Sequence, residues 1–353
     1  MRKVLFAVAV SFLALLSLKA ASEISDENWL LFKQVYTLIK ESYVEDKQSG
    51  EIIVGALKGL AKATGPESGY ISKEKYSQIE NLNKMKYQLP FYITKEDGFA
   101  RVITSFGGKD FGVESGDILK GVEGKSIFDL NYPETMVEIK KDKEIELNCS
   151  FMKKGTLKVF EEKIKTATYF PPEIVKIDDK TAVLQIPCLE SEIPVDLKES
   201  LKKFSKIIVD LRFCASEDIE SAVRWAGFLF GKGDVKLLLK SGEKKIAYEG
   251  EGVLSKLKCY ILVDSTTARG GEVLAVAGGQ SFQTVGGETF GFAAEHQTLT
   301  LKNGDKLIIL EGYFLDKNGE EIKDKPLKPD VLIENLSVKR DQKSYIEILN
   351  KLK

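Results

Sequence analysis

Three hydroxyl side chains in a row, Ser265-Thr266-Thr267, lie between an apolar stretch at residues 259–263 and a short helix expected over 272–278. A hydroxyl there is a nucleophile only if a base removes its proton. Otherwise it serves as a cap, accepting a bond from a helix-start amide. Bases are scarce in this chain. It holds one histidine, His296, so a Ser-His-Asp arrangement would have to use that residue. A zinc site built on several histidines is excluded. The four cysteines, Cys149, Cys188, Cys214 and Cys259, stand far apart within apolar, strand-like stretches. Buried free thiols are the expectation, with disulfides left open by export. No pattern calls for a cofactor or a metal.

The elements that must position these residues are bounded by composition. The chain has 353 residues, of which 43% are apolar and 30% charged, an ordinary globular balance. Its 52 basic residues face 53 acidic ones, so no basic excess exists to coat a phosphate backbone, and nucleic-acid binding is disfavoured as a main function. At the start, Arg2-Lys3, an apolar run over 4–18 and the small residues Ala20-Ala21-Ser22 read as a secretory signal peptide, residues 1–20. Lys19 keeps an uncleaved N-terminal anchor as the alternative. Export to the periplasm or the outer face of the cytoplasmic membrane is expected either way. No later run is long and apolar enough to span a bilayer.

Three regions follow the signal segment. Residues 22–85 form a helical region, with helices expected over 25–44, 51–63 and 73–83. In the first, Trp29, Phe32, Tyr36, Ile39 and Tyr43 recur at helical spacing, and Ser25 can cap its start. Residues 86–165 alternate short strands with glycine turns, among them Gly112-Val113-Glu114-Ser115-Gly116-Asp117 before a strand at 118–122. From 166 to 335 strands and helices alternate. Strands are expected at 182–186, 207–211, 235–239, 259–263 and 282–285, and helices at 196–204, 216–230 and 272–278. Apolar strands alternating with helices imply an α/β layered core. Asn303-Gly304 and Lys317-Asn318-Gly319 mark hairpins, and residues 336–353 form a C-terminal helix or tail.

The order of these pieces resembles the C-terminal processing peptidases, or tail-specific proteases. Gly65-Pro66-Glu67-Ser68-Gly69-Tyr70 is similar to that family's Asp-Pro-His-Ser-x-Tyr turn. Residues 112–119 resemble the Gly-x-x-x-Gly-Asp-x-Ile turn and strand of its PDZ domain. Asp210-Leu211-Arg212 resembles its central strand, Gly287-Glu288-Thr289-Phe290-Gly291 its Gly-Glu-x-Thr-Phe-Gly loop, and Pro329-Asp330-Val331 its closing Pro-Asp-Val. The resemblance implies an α/β fold: a tail-specific protease core of the ClpP/crotonase-like kind over 166–335, with an inserted PDZ-like domain over 86–165.

It also implies a Ser-Lys dyad, and there the sequence departs. Aligned on Asp264 and Glu272, the nucleophile position of the family's Ser-Ala-Ser-Ala-Ser-Glu stretch is Arg269, and the lysine position is Phe292. The glycine pair of the oxyanion loop is replaced by Ser216 and Glu217. The PDZ carboxylate loop, glycine-rich in the family, matches Tyr87-Gln88-Leu89-Pro90-Phe91, in which Pro90 has no amide to donate. The expected function is that of an exported, non-catalytic homologue binding peptides or protein segments at the cell envelope. One alternative is an active serine- or cysteine-type peptidase with a relocated nucleophile at Ser265, Thr267 or Cys214, with His296 as base for Cys214. Another is a purely structural envelope protein. Arg269 is a candidate to bind a peptide carboxylate through its fork, or to pair with Glu217, Glu272 or Glu288.

Overall fold

The computed structural model describes residues 24–65, 67–81, 85–156 and 158–352; the expected signal segment lies outside the described residues. Two units are separated within it, residues up to 57 and residues 58–353. The first contains the helix Asp26–Ser42. Ser25 caps it as expected, accepting from the Asn28 amide, and none of the helix's residues is buried. Trp29 and Phe32 stack with ring centroids 5.4 Å apart, and the stripe they begin stays exposed at Ile39 and Tyr43, with Tyr36 half-buried.

In the second unit, the strand–helix alternation after residue 166 builds a six-stranded sheet. Its order is Glu173–Lys176, Thr181–Gln185, Lys206–Asp210, Lys258–Val263, Gln283–Gly286, Val331–Leu332. Only the first pair is antiparallel. Both faces are covered, which is why these strands read as unbroken apolar runs. Ala182, Leu184, Ile207, Val209 and Ile261 point towards the helices Ile219–Phe230 and Gly270–Gly279, where Trp225, Leu229 and Val273 meet them. The alternate residues Val183, Ile208, Tyr260 and Leu262 pack on Tyr345 and Ile348 of the C-terminal helix Gln342–Lys351. The side chains of Asp210 and Arg212, both buried, tie the sheet's end to that C-terminal segment. Arg212 donates to both Asp210 carboxylate oxygens, at 2.8 and 2.9 Å, and to the Ser337 carbonyl. Tyr345 donates to Asp210 at 2.6 Å.

Three expectations shift here. The helix expected over 196–204 contracts to Leu197–Leu201. The helix expected from Ser216 begins at Ile219, because Asp218 caps it through the Ser221 amide, leaving Ser216 and Glu217 in the preceding loop. The strand expected at 235–239 is Gly233–Leu239 and does not enter the parallel sheet. It pairs with Gly242–Tyr248 and Lys306–Phe314 in a separate antiparallel sheet, since a two-residue turn returns the chain on itself. That sheet also contains Gly69–Ile71, from the region expected to be helical, paired with residues 306–308. The Asn303-Gly304 turn joins the strands Ala294–Thr300 and Lys306–Phe314, as the sequence indicates.

Residues 91–165 carry their own sheet, ordered Phe91–Glu96, Phe99–Ser105, Ile118–Val122, Glu146–Met152, Val159–Lys165. Phe91, Ile93, Leu119, Phe151 and Ile164 form its core with Met136 and Ile139 of the helix Tyr132–Ile139. No strand is shared between this sheet and the parallel one.

Candidate functional site

The site is set by two neighbouring parallel strands, Lys206–Asp210 and Lys258–Val263, which end side by side. The carboxyl ends of parallel strands are where open α/β sheets place their ligands. After Val263 the chain turns through Asp264 to Ala268 and enters the helix Gly270–Gly279. After Asp210 it runs as a loop across the start of that helix.

The hydroxyls in the turn do not cap the helix; they lock the two strand ends together. Thr266 Oγ1 donates to Asp264 and accepts the Phe213 amide at 2.7 Å. Thr267 Oγ1 donates to the Leu211 carbonyl at 2.9 Å and accepts the Asp264 amide at 3.2 Å. Ser265 is exposed. Arg269, not a hydroxyl residue, stands at the N-cap, with φ 54° and ψ −119°. This left-handed conformation costs a residue bearing a Cβ roughly 1–3 kcal/mol. The surrounding bonds enforce it. The Arg269 amide donates to the Phe292 carbonyl at 2.9 Å and to Glu272 Oε2 at 3.0 Å.

Glu272 is the organiser of this corner. Fully buried, its carboxyl accepts from Thr289 Oγ1 and from the amides of Gly291 and Phe292, at 2.8 and 3.0 Å, besides Arg269. Burial pushes it up to about 7, against the pull of those hydrogen bonds. It binds the 289–292 loop to the helix start, and so brings together the two positions the sequence singles out. The Arg269 guanidinium carbon lies 5.4 Å from the Phe292 ring centroid and 5.2 Å from that of Tyr132.

The guanidinium's partner is Glu67, rather than Glu217, Glu272 or Glu288. Both Arg269 terminal nitrogens reach the Glu67 carboxylate, Nη1 at 3.3 Å and Nη2 closer. Arg269 is 5% exposed and Glu67 4%. Thr94 donates to Glu67 at 3.0 Å, and His296 Nε2 lies 3.3 Å from it. Burial pushes the Glu67 carboxyl up, but Arg269 and His296 together outweigh it and hold it at about 2. Sequence reasoning missed Glu67. A signal existed: Glu67 stands where the resembled turn has histidine, so acid and base replace uncharged or weakly charged residues at two positions that meet in space.

The amides just before the helix and at its first two residues are taken within the chain. Gly270 donates to the Ser216 carbonyl at 2.8 Å, Ala268 to the Cys214 carbonyl at 2.9 Å, and Gly271 to the Ala268 carbonyl at 2.9 Å. The loop presses so closely that a Cβ on Gly271 would lie 2.2 Å from the Cys214 carbonyl oxygen. Cys214 itself is fully buried, and burial raises its thiol well above the ordinary value. All four cysteines are free and buried, so the expectation of reduced thiols holds.

Two cavities adjoin this corner. One of about 270 Å³ is lined by Glu67, Tyr132, Glu217, Arg269 and His296 among others. A second, of about 540 Å³, runs on past Tyr92, Glu190 and Asp218. Tyr132, Met136, Lys140 and Glu217 line both. Tyr132 and Lys140 were not singled out in the sequence. A larger cavity, about 630 Å³, lies by residues 316–329 and the helix Gly270–Gly279; Val263 and Glu288 line it, but Glu67, Arg269, Glu272, Phe292 and His296 do not. Among the described residues no group of His, Cys, Asp and Glu side chains could hold a metal ion, and no helix is long and apolar enough to cross a membrane.

Comparison with known proteins gives a consistent picture. Residues 180–333 match the family model for peptidase family S41. The "Probable CtpA-like serine protease" of Staphylococcus aureus (strain COL) is 24% identical over 323 residues, covering 86% of this chain and 64% of that protein. The chain thus spans somewhat under two thirds of that relative's length. The carboxy-terminal processing protease CtpA of Bacillus subtilis (strain 168) is 23% identical over 340 residues, 91% of this chain and 72% of the relative. Among solved structures, the photosystem II D1 C-terminal processing protease superposes with a TM-score of 0.69 over 92% of this chain and 97% of its own, at 16% identity.

Proposed function

We propose that this chain is an exported member of the C-terminal processing peptidase family that has kept the fold and lost the chemistry, and that it binds peptide or protein segments without cutting them. The observation that carries the reading is the buried Arg269–Glu67 pair at the helix start. A guanidinium stays protonated at any working pH and is no nucleophile. Phe292, packed beside it, has no proton-accepting group. Acyl transfer also needs donors aimed at a developing oxyanion, and here the Gly270 amide is closed by the Ser216 carbonyl.

The relocated nucleophiles fare poorly on the same grounds. Both threonine hydroxyls are engaged on main-chain carbonyl, amide or carboxylate groups. The Cys214 thiol is buried and held protonated. Ser265 is exposed, with no base hydrogen-bonded to it among the described residues. The region 86–165 is read as a PDZ-like module whose carboxylate loop is altered at Pro90. A role as a purely structural envelope protein is the remaining rival.

The test is an assay of the purified chain on unfolded protein and on C-terminal tail peptides, where no cleavage above background is expected. Turnover that survives stringent purification, and vanishes on Ser265→Ala, Thr267→Ala or Cys214→Ala, refutes the reading. Failure of every peptide to bind would favour the structural rival.

A further inference from the structure

The paired cavities beside Arg269 have a charge pattern of their own. Glu190, Glu217, Asp218 and Glu220 line the larger one, against a single lysine, Lys140. Glu217, which also lines the smaller cavity, makes no ion pair or hydrogen bond among the described residues, because the nearby Arg269 fork is committed to Glu67. Asp218 is taken up in capping Ser221, and Glu190 accepts from Tyr92 at 3.1 Å. Lys140 makes no salt bridge among the described residues either.

An acidic lining alone is no site. A second feature points to an occupant. Tyr132 is 9% exposed and lines both cavities, yet its hydroxyl has no partner. Arg269 Nε, buried against the smaller cavity, is likewise unpartnered. Buried polar atoms are nearly always satisfied, and leaving one unpaired costs about 1–3 kcal/mol. A tyrosine hydroxyl and a guanidinium N–H facing a groove are donors for main-chain carbonyls of a peptide.

We propose that this groove takes a peptide segment through a cation, a Lys or Arg side chain or a free amino terminus, seated against Glu217. The inference rests on the non-catalytic peptide-binding reading above and names the ligand chemistry of that same site. A carboxylate-first mode fits poorly: the Asp218 and Glu220 carboxylates at the groove would oppose it, and the Arg269 fork already holds the Glu67 carboxylate. The state of Glu217 agrees. Burial, with the Glu67 charge adding to it and Arg269 opposing it, pushes this carboxyl up to about 8, as befits an acid lacking the cation that would offset its lost hydration. Tyr132 and Arg269 Nε would hold the peptide backbone, and Lys140 sets a limit on affinity by repelling the incoming charge.

The test is calorimetric titration of the full chain with alanine-based heptapeptides. One is acetylated, amidated and carries a central lysine. The second has norleucine in place of that lysine, and the third is the norleucine peptide with a free amino terminus. The lysine peptide is expected to bind at least about tenfold tighter than the norleucine peptide, the scale of one charge-assisted hydrogen bond. Tight binding of the third peptide assigns the same cation site to chain termini. Glu217→Gln should abolish the preference, and Lys140→Met should strengthen lysine-peptide binding. If Glu217→Gln fails to fold by thermal melt, Lys140→Met and the salt dependence carry the test, since added salt must weaken the lysine peptide and spare the norleucine one. Equal binding of lysine and norleucine peptides, or a preference that survives Glu217→Gln, overturns the cation site while leaving peptide binding intact. No binding by any peptide at millimolar concentration overturns both. Tight binding of the lysine peptide followed by its cleavage keeps the cation site and defeats only the non-catalytic reading.

Discussion

Removing the Arg269 side chain should destabilise the chain through the charge it leaves behind. In Arg269→Met the Glu67 carboxylate stays buried, with Thr94 and His296 as its remaining neighbours. Breaking a buried ion pair from one side typically costs about 3–5 kcal/mol. Glu67 itself gives an independent scale. Its carboxyl lies at about 2 in the folded chain against an ordinary 4.5, and a shift of that size corresponds to about 3 kcal/mol at neutral pH. The folded value is depressed, so this stability is fully present above about 4.5 and is lost as pH falls from there towards about 2. Denaturant melts of the parent and of Arg269→Met should therefore differ by about 3–5 kcal/mol at pH 7, and the gap should narrow as pH falls below about 4.5 and close only towards about 2. The double variant Glu67→Gln with Arg269→Met leaves no orphaned charge, and should recover at least half of the loss. A single-variant loss under about 1 kcal/mol at pH 7, or a double variant no more stable than the single, would show that solvent reaches this pair and that the corner is not built around it.

Three further outcomes follow from the same geometry. Arg269→Ser with Phe292→Lys restores a nucleophile and a base but should not restore cleavage of a fluorogenic tail peptide, because the Ser216 carbonyl still closes the Gly270 amide; adding Ser216→Gly and Glu217→Gly should help more, and robust cleavage by the two-site variant would show that oxyanion donors remain. Gly271→Ala should cost about 1–3 kcal/mol in a thermal or denaturant melt through overpacking, since its Cβ would meet the Cys214 carbonyl oxygen at 2.2 Å; an unchanged melt would mean the loop over the helix start yields easily. In native protein a thiol reagent should label none of Cys149, Cys188, Cys214 and Cys259, because burial keeps each thiol protonated and covered, and all four should react after unfolding; rapid native labelling of Cys214 would reopen the thiol reading.

Much of the fold was legible before the structure because period and punctuation in the sequence are local. Apolar runs at 207–211 and 259–263 could only be strands buried on both faces, and Asn303-Gly304 could only be a tight hairpin turn. The departures at Arg269 and Phe292 were visible too, since they stand at fixed offsets from Asp264 and Glu272. Local pattern did not assign partners. Residues 233–239 look like any other core strand, yet they join an antiparallel sheet. Residues 69–71 lie between two expected helices, yet they pair with 306–308 some 235 residues away. Nor did spacing reveal which acid meets Arg269. Three nearer glutamates were candidates, and the one chosen is Glu67, 202 residues distant. The sequence by itself placed Arg269 and Phe292 at the positions that the resemblance aligns with a Ser-Lys dyad, and neither residue type is a nucleophile or a base at working pH. Tertiary structure alone decided that the arginine is neutralised within the chain, and that Glu217 and the Tyr132 hydroxyl line shared cavities without hydrogen-bond or ion-pair partners among the described residues. The physical reason is that side-chain chemistry is written residue by residue, whereas burial and charge pairing are set by which distant segments fill the same space.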